Sequence, residues 1–145
     1  MIKLKNIIKK YGEKSIIDDV SLDIPKGQVI AFIGANGAGK STLISIISRT
    51  LSKNGGEVYI DDKELSKWNN NELSKKMSIL KQSNNLNIRL TVKELVSFGR
   101  FPYSKGNLTK EDKKHIDEAI KYMGIEDLQD RYLDELSGGQ KQMAF

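Results

Sequence analysis

The chain has 145 residues, 38% of them hydrophobic and 30% charged, with a net charge of +5 at pH 7 and a pI near 9.3. That size and balance suit one domain, or part of one, and exclude a collagenous or disordered chain. Zero cysteines exclude a disulfide framework, one histidine excludes a multi-histidine metal cluster, and no apolar run approaches the ~18 residues of a membrane helix.

The basic start, MIKLKNIIKK, is too interrupted for a signal peptide, and the lack of cysteine suits a reducing, cytoplasmic compartment. The lysines are scattered in pairs such as Lys9-Lys10, Lys75-Lys76 and Lys113-Lys114, with no block interleaved with aromatics. A solvated basic surface is the expectation, and no nucleic-acid partner.

In chain order, the first elements are strands. Ile2, Leu4 and Ile8 of IKLKNII fall on one side, and Val20, Leu22 and Ile24 of VSLDI alternate with polar residues. A turn at Pro25-Lys26-Gly27 leads into QVIAFIG (28–34), an apolar run expected to form a strand buried on both faces. In KSTLISIISRTL, Leu43, Ile44, Ile46, Ile47 and Leu51 leave so little polar surface that the helix is expected to be buried nearly all round. NGGEVYIDDKEL predicts a turn and short hairpin, NNNELSKK a short exposed helix, and MSILKQ another strand.

From Thr91 the pattern turns helical. Thr91 with Glu94, and Thr109 with Asp112, have the Ser/Thr-x-x-acid spacing of a helix start. Ile116, Ala119, Ile120 and Met123 form an apolar stripe, His115 lies beside it as a surface residue, and Gly124 stands where a C-terminal cap belongs. The expected division is a β-rich part over 1–87 and a helical part over 88–145.

The stretch GANGAGKST (Gly34, Ala35, Asn36, Gly37, Ala38, Gly39, Lys40, Ser41, Thr42) matches the G-x-x-x-x-G-K-[ST] phosphate loop. Glycines let the backbone curl so that several N–H groups point at a polyphosphate, and the following helix adds its positive end. Lys40 would reach the β- and γ-phosphates and the Ser41 hydroxyl would ligate Mg²⁺. The loop follows an expected apolar strand and precedes an expected buried helix, as the mechanism requires, and a mere glycine-rich turn between strand and helix would not need Lys-Ser at that step.

Near the other end, Leu136-Ser137-Gly138-Gly139-Gln140 spells LSGGQ. Ser137 and Gln140 have the spacing of an N-cap and its reciprocal partner, and two glycines leave the helix start bare enough for a phosphate. Alone, the stretch has the alternative reading of a helix start with a flexible cap.

With both motifs in place, the chain from Met1 to Phe145 resembles the nucleotide-binding subunit of an ABC transporter. VSLDIPKGQVIAFIGANGAGKSTL is similar to the stretch leading into that family's Walker A motif, and LSGGQ matches its signature. The resemblance implies an α/β fold: a P-loop NTPase core of ABC type with an N-terminal antiparallel β portion and a helical subdomain, incomplete at the C-terminus. It implies ATP and Mg²⁺ as cofactors and a second ABC domain as head-to-tail partner, so that each signature holds the partner's ATP. It further implies transmembrane permease subunits, a substrate-binding protein indirectly, and a place on the cytoplasmic face of the membrane.

On the same resemblance, Tyr11 takes the place of the aromatic that stacks on adenine, its alternative being a strand-edge aromatic. Gln82 takes the place of the glutamine that touches Mg²⁺ and signals to the membrane subunits, and with Lys40 it is the expected catalytic pair. LTVKELVSFGRFPY (90–103) resembles the segment after that glutamine in ATPases of iron–siderophore and cobalamin importers, which in the family helps receive a permease helix; core packing of Leu95, Val96 and Phe98 is the alternative.

In the family an apolar strand ending in Asp-Glu follows the signature, the Glu activating the attacking water. The chain stops at Phe145 before any such strand, and EVYIDD (57–62) reads as a hairpin, so residues 1–145 are expected to bind Mg·ATP without hydrolysing it. The expected whole is an ATPase subunit coupling ATP binding and hydrolysis to import, with an iron–siderophore complex as cargo. A non-hydrolysing nucleotide-binding remnant or regulatory module, and a soluble non-transport ABC protein, are the alternatives.

Overall fold

Strand β1 (Ile2–Tyr11) turns at Gly12 and pairs antiparallel with β2 (Lys14–Ile24), while its other edge pairs with β3 (Gly55–Ile60). A two-residue strand β4 (Lys63–Glu64) completes an antiparallel sheet in the order β2-β1-β3-β4. The computed structural model describes residues 1–81 and 88–145, which fall into two units, Met1–Leu73 and Ser74–Phe145.

The alternation of β1 holds as far as Leu4 and is then reset by a bulge. Asn6 and Asp19 both take φ 50°, and the register slips between Leu4 and Ile7. The Asn6 amide donates to Asp19 Oδ1 at 2.7 Å, and the Asn6 backbone N–H donates to Ser21 Oγ at 2.9 Å. These bonds satisfy polar groups that the bulge removes from the ladder. Ile7, rather than the expected Ile8, therefore follows Leu4 into the core. In β2 the Val20, Leu22 and Ile24 alternation appears as expected, half-buried against exposed neighbours. The β3–β4 turn is the Asp61-Asp62 pair, both with positive φ, so the acidic end of EVYIDD is a hairpin turn as the sequence predicts.

Two expected strands are not formed. Residues 28–34 carry no strand, and Val29 and Ile33 are 99% and 93% exposed. A strand exists only through hydrogen bonds to a neighbour, and among the described residues none supplies a ladder to this run. Residues 77–80 are likewise outside any strand, with Ile79 and Leu80 exposed.

Helix α1 (Lys40–Ile47) buries Leu43, Ile46 and Ile47 but leaves Ile44 exposed, so it is covered on one side rather than all round. Its far end is tied down by Arg49, which donates to the carbonyls of Leu65 at 3.1 Å and Trp68 at 2.7 Å. Helix α2 (Asn70–Ser74) is short, exposed and pinned by Leu73, as NNNELSKK suggests.

The second unit holds α3 (Val92–Phe98), α4 (Phe101–Ser104), α5 (Lys110–Tyr122) and α6 (Gly138–Ala144). Both predicted capping boxes, Thr91 with Glu94 and Thr109 with Asp112, are present. The core gathers Val92, Ile116, Ile120, Ile125, Leu133 and Leu136 with their neighbours. The α5 stripe is narrower than its sequence suggests. Ile116 and Ile120 are buried and Asp112 joins them, whereas Ala119 and Met123 stay exposed. Gly124 (φ 66°) ends the helix as expected: its N–H donates to Lys121 O and that of Ile125 to Ile120 O, which drives Ile125 into the core. His115 is a surface residue between Glu111 and Glu118.

Candidate functional site

The glycine-rich loop leaves the 28–33 run, exposed except for the half-buried Phe32, and ends in α1. Gly37 and Gly39 take φ 83° and 87°, angles at which a side chain is strained. At Gly39 a second constraint adds to the first. A Cβ there would stand 2.9 Å from the Ile16 carbonyl oxygen and 3.5 Å from Ile17 Cγ1, so only glycine lets the loop lie against β2. Nothing in the sequence marks Ile16 as the floor of the loop; the contact exists only once β2 and α1 meet.

The curled backbone leaves donors without acceptors. Among the described residues, the N–H groups of Gly37, Gly39, Lys40 and Ser41 have no backbone or side-chain acceptor, while Leu43 N–H closes the first helical turn on Gly39 O. Lys40 Nζ folds across the mouth and donates to the carbonyls of Gly34 and Ala35, each at 2.7 Å. Asn36, Gly37, Ala38 and Ser41 are exposed around it, with Thr42 half-buried behind. Free N–H groups, an ammonium and the N-terminus of α1 belong to one short loop, a set of groups that suits an anion of several oxygens.

Tyr11 ends β1 beside the β1–β2 turn, with half of its surface exposed. Two residues back, Lys9 pairs with Ile17, the residue whose side chain lies beneath Gly39. Tyr11 and the loop are thus carried by the same edge of the first unit. Gln82 lies outside the described residues.

In the second unit, the segment before the LSGGQ stretch is held by backbone bonds. Val92 N–H donates to Arg131 O at 3.0 Å and Leu133 N–H to Leu90 O at 2.9 Å. Leu136 is buried in the core, and Ser137 then caps α6. Gln140 N–H donates to Ser137 Oγ at 3.3 Å, and Ser137 N–H donates to Gln140 Oε1 at 3.0 Å, the reciprocal box expected from the spacing. Among the described residues nothing lies within 4 Å of where a Cβ would stand on Gly138 or Gly139, and both glycines are exposed. Each unit therefore carries one of the two glycine-rich helix starts marked in the sequence, Gly39 before α1 and Ser137 before α6.

Residues 17–145 match the sequence profile of the family described as ABC transporter. Over all of its 145 residues the chain is 58% identical to the petrobactin import ATP-binding protein YclP of Bacillus subtilis (strain 168), of which it covers 58%. Over 134 residues, 91% of the chain, it is 40% identical to the iron(3+)-hydroxamate import ATP-binding protein FhuC of the same organism, covering 50% of it. Among solved structures, the dimeric ABC transporter cassette MJ0796 superposes with a TM-score of 0.81 at 32% identity, covering 99% of this chain and 67% of that one. The chain spans about half the length of the curated relatives it matches.

Proposed function

The chain belongs to the ABC transporter family, and on that premise we propose that it forms the nucleotide-holding part of an ATPase subunit that drives import of an iron–siderophore complex. The observation that carries the cargo is the match of every residue, at 58% identity, to a relative named for petrobactin import. The phosphate-loop geometry supports ATP as the bound nucleotide. Gly34 to Thr42 would wrap the phosphates, Lys40 would swing from its own loop carbonyls to the β- and γ-oxygens, and Tyr11 would carry the base. The exposed Ser41 hydroxyl, at the mouth of the loop, suits an oxygen-seeking Mg²⁺, with Gln82 as its second protein ligand.

Residues 136–140 would complete the site of a second copy or a related domain, since an open, capped helix start in a separate unit has the geometry to close over a γ-phosphate. Membrane-embedded permease subunits would receive the resulting motion, placing the protein on the inner face of the membrane.

Taken alone, residues 1–145 supply charge neutralisation for phosphoryl transfer. Among the described residues, the carboxylate in the cavity beside Gly39 and Lys40 is Asp18 of β2, and on this reading the chain holds nucleotide without turning it over. Two experiments test the reading. Isothermal titration of the chain with Mg·ATP should show saturable binding that Lys40→Ala abolishes; single-turnover hydrolysis lost on the same substitution would overturn the binding-only assignment. In cells, removal of the gene should abolish growth on ferric petrobactin as sole iron source, and unimpaired growth would refute the cargo.

A further inference from the structure

We propose that Lys9 is a positioning residue for the nucleotide base: its ammonium holds the Tyr11 ring from one face and leaves the opposite face for a purine to stack. The proposal rests on the ATP reading of the site given above. Lys9 is only 7% exposed, the one buried lysine among the described residues. Its stem occupies the core-facing row of β1, between Ile7 and Tyr11, whereas Lys10 beside it points to solvent. No carboxylate among the described residues lies within ion-pair distance of it. The Lys9 ammonium instead sits 4.9 Å from the centroid of the Tyr11 ring.

A lysine kept only for solubility would not occupy a core position, because burying its stem restricts four rotatable bonds and draws the charge from water. Here the stem lies within the β1–β2 ladder and the charge emerges against an aromatic face. The same rung is tied to the phosphate loop, since Lys9 pairs with Ile17 and Gly39 packs on Ile16 and Ile17. Ring and loop therefore share one support, and the cation fixes how the ring faces the base of a triphosphate held by that loop.

The test is titration of the full chain with Mg·ATP and, separately, with inorganic tripolyphosphate, for wild type, Lys9→Met, Lys9→Arg and Tyr11→Ala. Lys9→Met should weaken ATP about three- to fivefold, Lys9→Arg should stay within about twofold of wild type, and tripolyphosphate affinity should not change in either. Unchanged tripolyphosphate binding also shows that the variant is folded. Equal losses of ATP and tripolyphosphate in Lys9→Met would overturn the proposal by making Lys9 a phosphate ligand. Unchanged ATP affinity in Lys9→Met, with a loss in Tyr11→Ala, would overturn it and leave Tyr11 as the base platform. Unchanged ATP affinity in Tyr11→Ala as well would refute the base platform along with the proposal.

Discussion

Arg100 donates from Nε to Oδ1 of the buried Asp112 at 2.8 Å, joining the end of α3 to the start of α5. The other oxygen of Asp112 accepts from the Thr109 hydroxyl at 2.7 Å and the Thr109 N–H at 3.0 Å, so one carboxylate both caps α5 and anchors Arg100. The guanidinium also lies 4.0 Å from the Tyr103 ring centroid. The Gly99-Arg100-Phe101-Pro102 stretch thus has a structural task inside the second unit, beside any role in recognising a permease.

Stability in acid should follow from this carboxylate. The Thr109 hydroxyl, then its N–H, then Arg100 hold the Asp112 carboxyl down to about 2, from an ordinary value of 3.8. A group depressed by folding stabilises the fold above its unfolded value, and that contribution disappears as pH falls through the folded one. Urea unfolding of the chain should therefore show a stability loss spread between about pH 4 and pH 2. Asp112→Asn should be less stable than wild type at pH 7 and lack that part of the acid dependence. Parallel pH profiles for the two proteins would refute the assignment.

Two glycine substitutions should have opposite effects. A Cβ on Gly56, at φ 81°, would stand 2.3 Å from the Asn6 carbonyl oxygen and 2.4 Å from that of Lys5, both backbone atoms of β1. Gly56→Ala should destabilise the first unit by more than ~2 kcal/mol, since strain and overlap with fixed backbone act together. Gly139 has ordinary φ, lies in α6 and, among the described residues, has no neighbour within 4 Å of its Cβ position. Gly139→Ala should be neutral or stabilising by ~0.5–1 kcal/mol, as helix propensity favours alanine. Chemical denaturation of both variants measures the contrast, and a destabilised Gly139→Ala would show that the open helix start is covered.

These cases mark how much was legible in the sequence. The capping boxes at Thr91, Thr109 and Ser137 could be read directly, because a cap depends on residues three apart. The curled backbone at Gly37 and Gly39 was legible for a similarly local reason. The phase of β1 was not, since the Asn6 bulge is stabilised by Asp19 and Ser21, which lie in the next strand. Nor was the fate of 28–34, because apolar composition predicts a buried strand while a strand needs a partner's backbone. The closed contact of Gly39 on Ile16, which positions the loop, carried no sequence signal at all.

Lys40 offers a separation of binding from folding. Among the described residues its ammonium bonds only to two carbonyls of its own loop. Lys40→Ala should leave the unfolding midpoint nearly unchanged, within ~0.5 kcal/mol, as expected for surface positions. The same variant should lose ATP affinity at least tenfold, because hydrogen bonds from a charged donor contribute ~1.5–3 kcal/mol. Thermal unfolding with and without Mg·ATP reads both at once: wild type should gain stability with ligand and Lys40→Ala should not. A ligand-induced shift that survives in Lys40→Ala would place the phosphates elsewhere.

The apolar run before the loop should govern how the chain behaves in solution. Val29 and Ile33 are almost wholly exposed, and Ile30 stands exposed between them. An extended apolar segment with unpaired backbone offers both a hydrophobic surface and a ladder to another chain. Residues 1–145 should therefore self-associate in a concentration-dependent way, seen by light scattering at neutral pH. Val29→Lys with Ile33→Lys should suppress this, because charge on such a segment opposes pairing while both side chains stand almost wholly outside the core of the first unit. The unfolding midpoint of the double variant, measured at a concentration where both proteins are monomeric, should match that of wild type. Undiminished association in the double variant would move the sticky surface to the exposed Phe98, Phe101 and Tyr122 of the second unit.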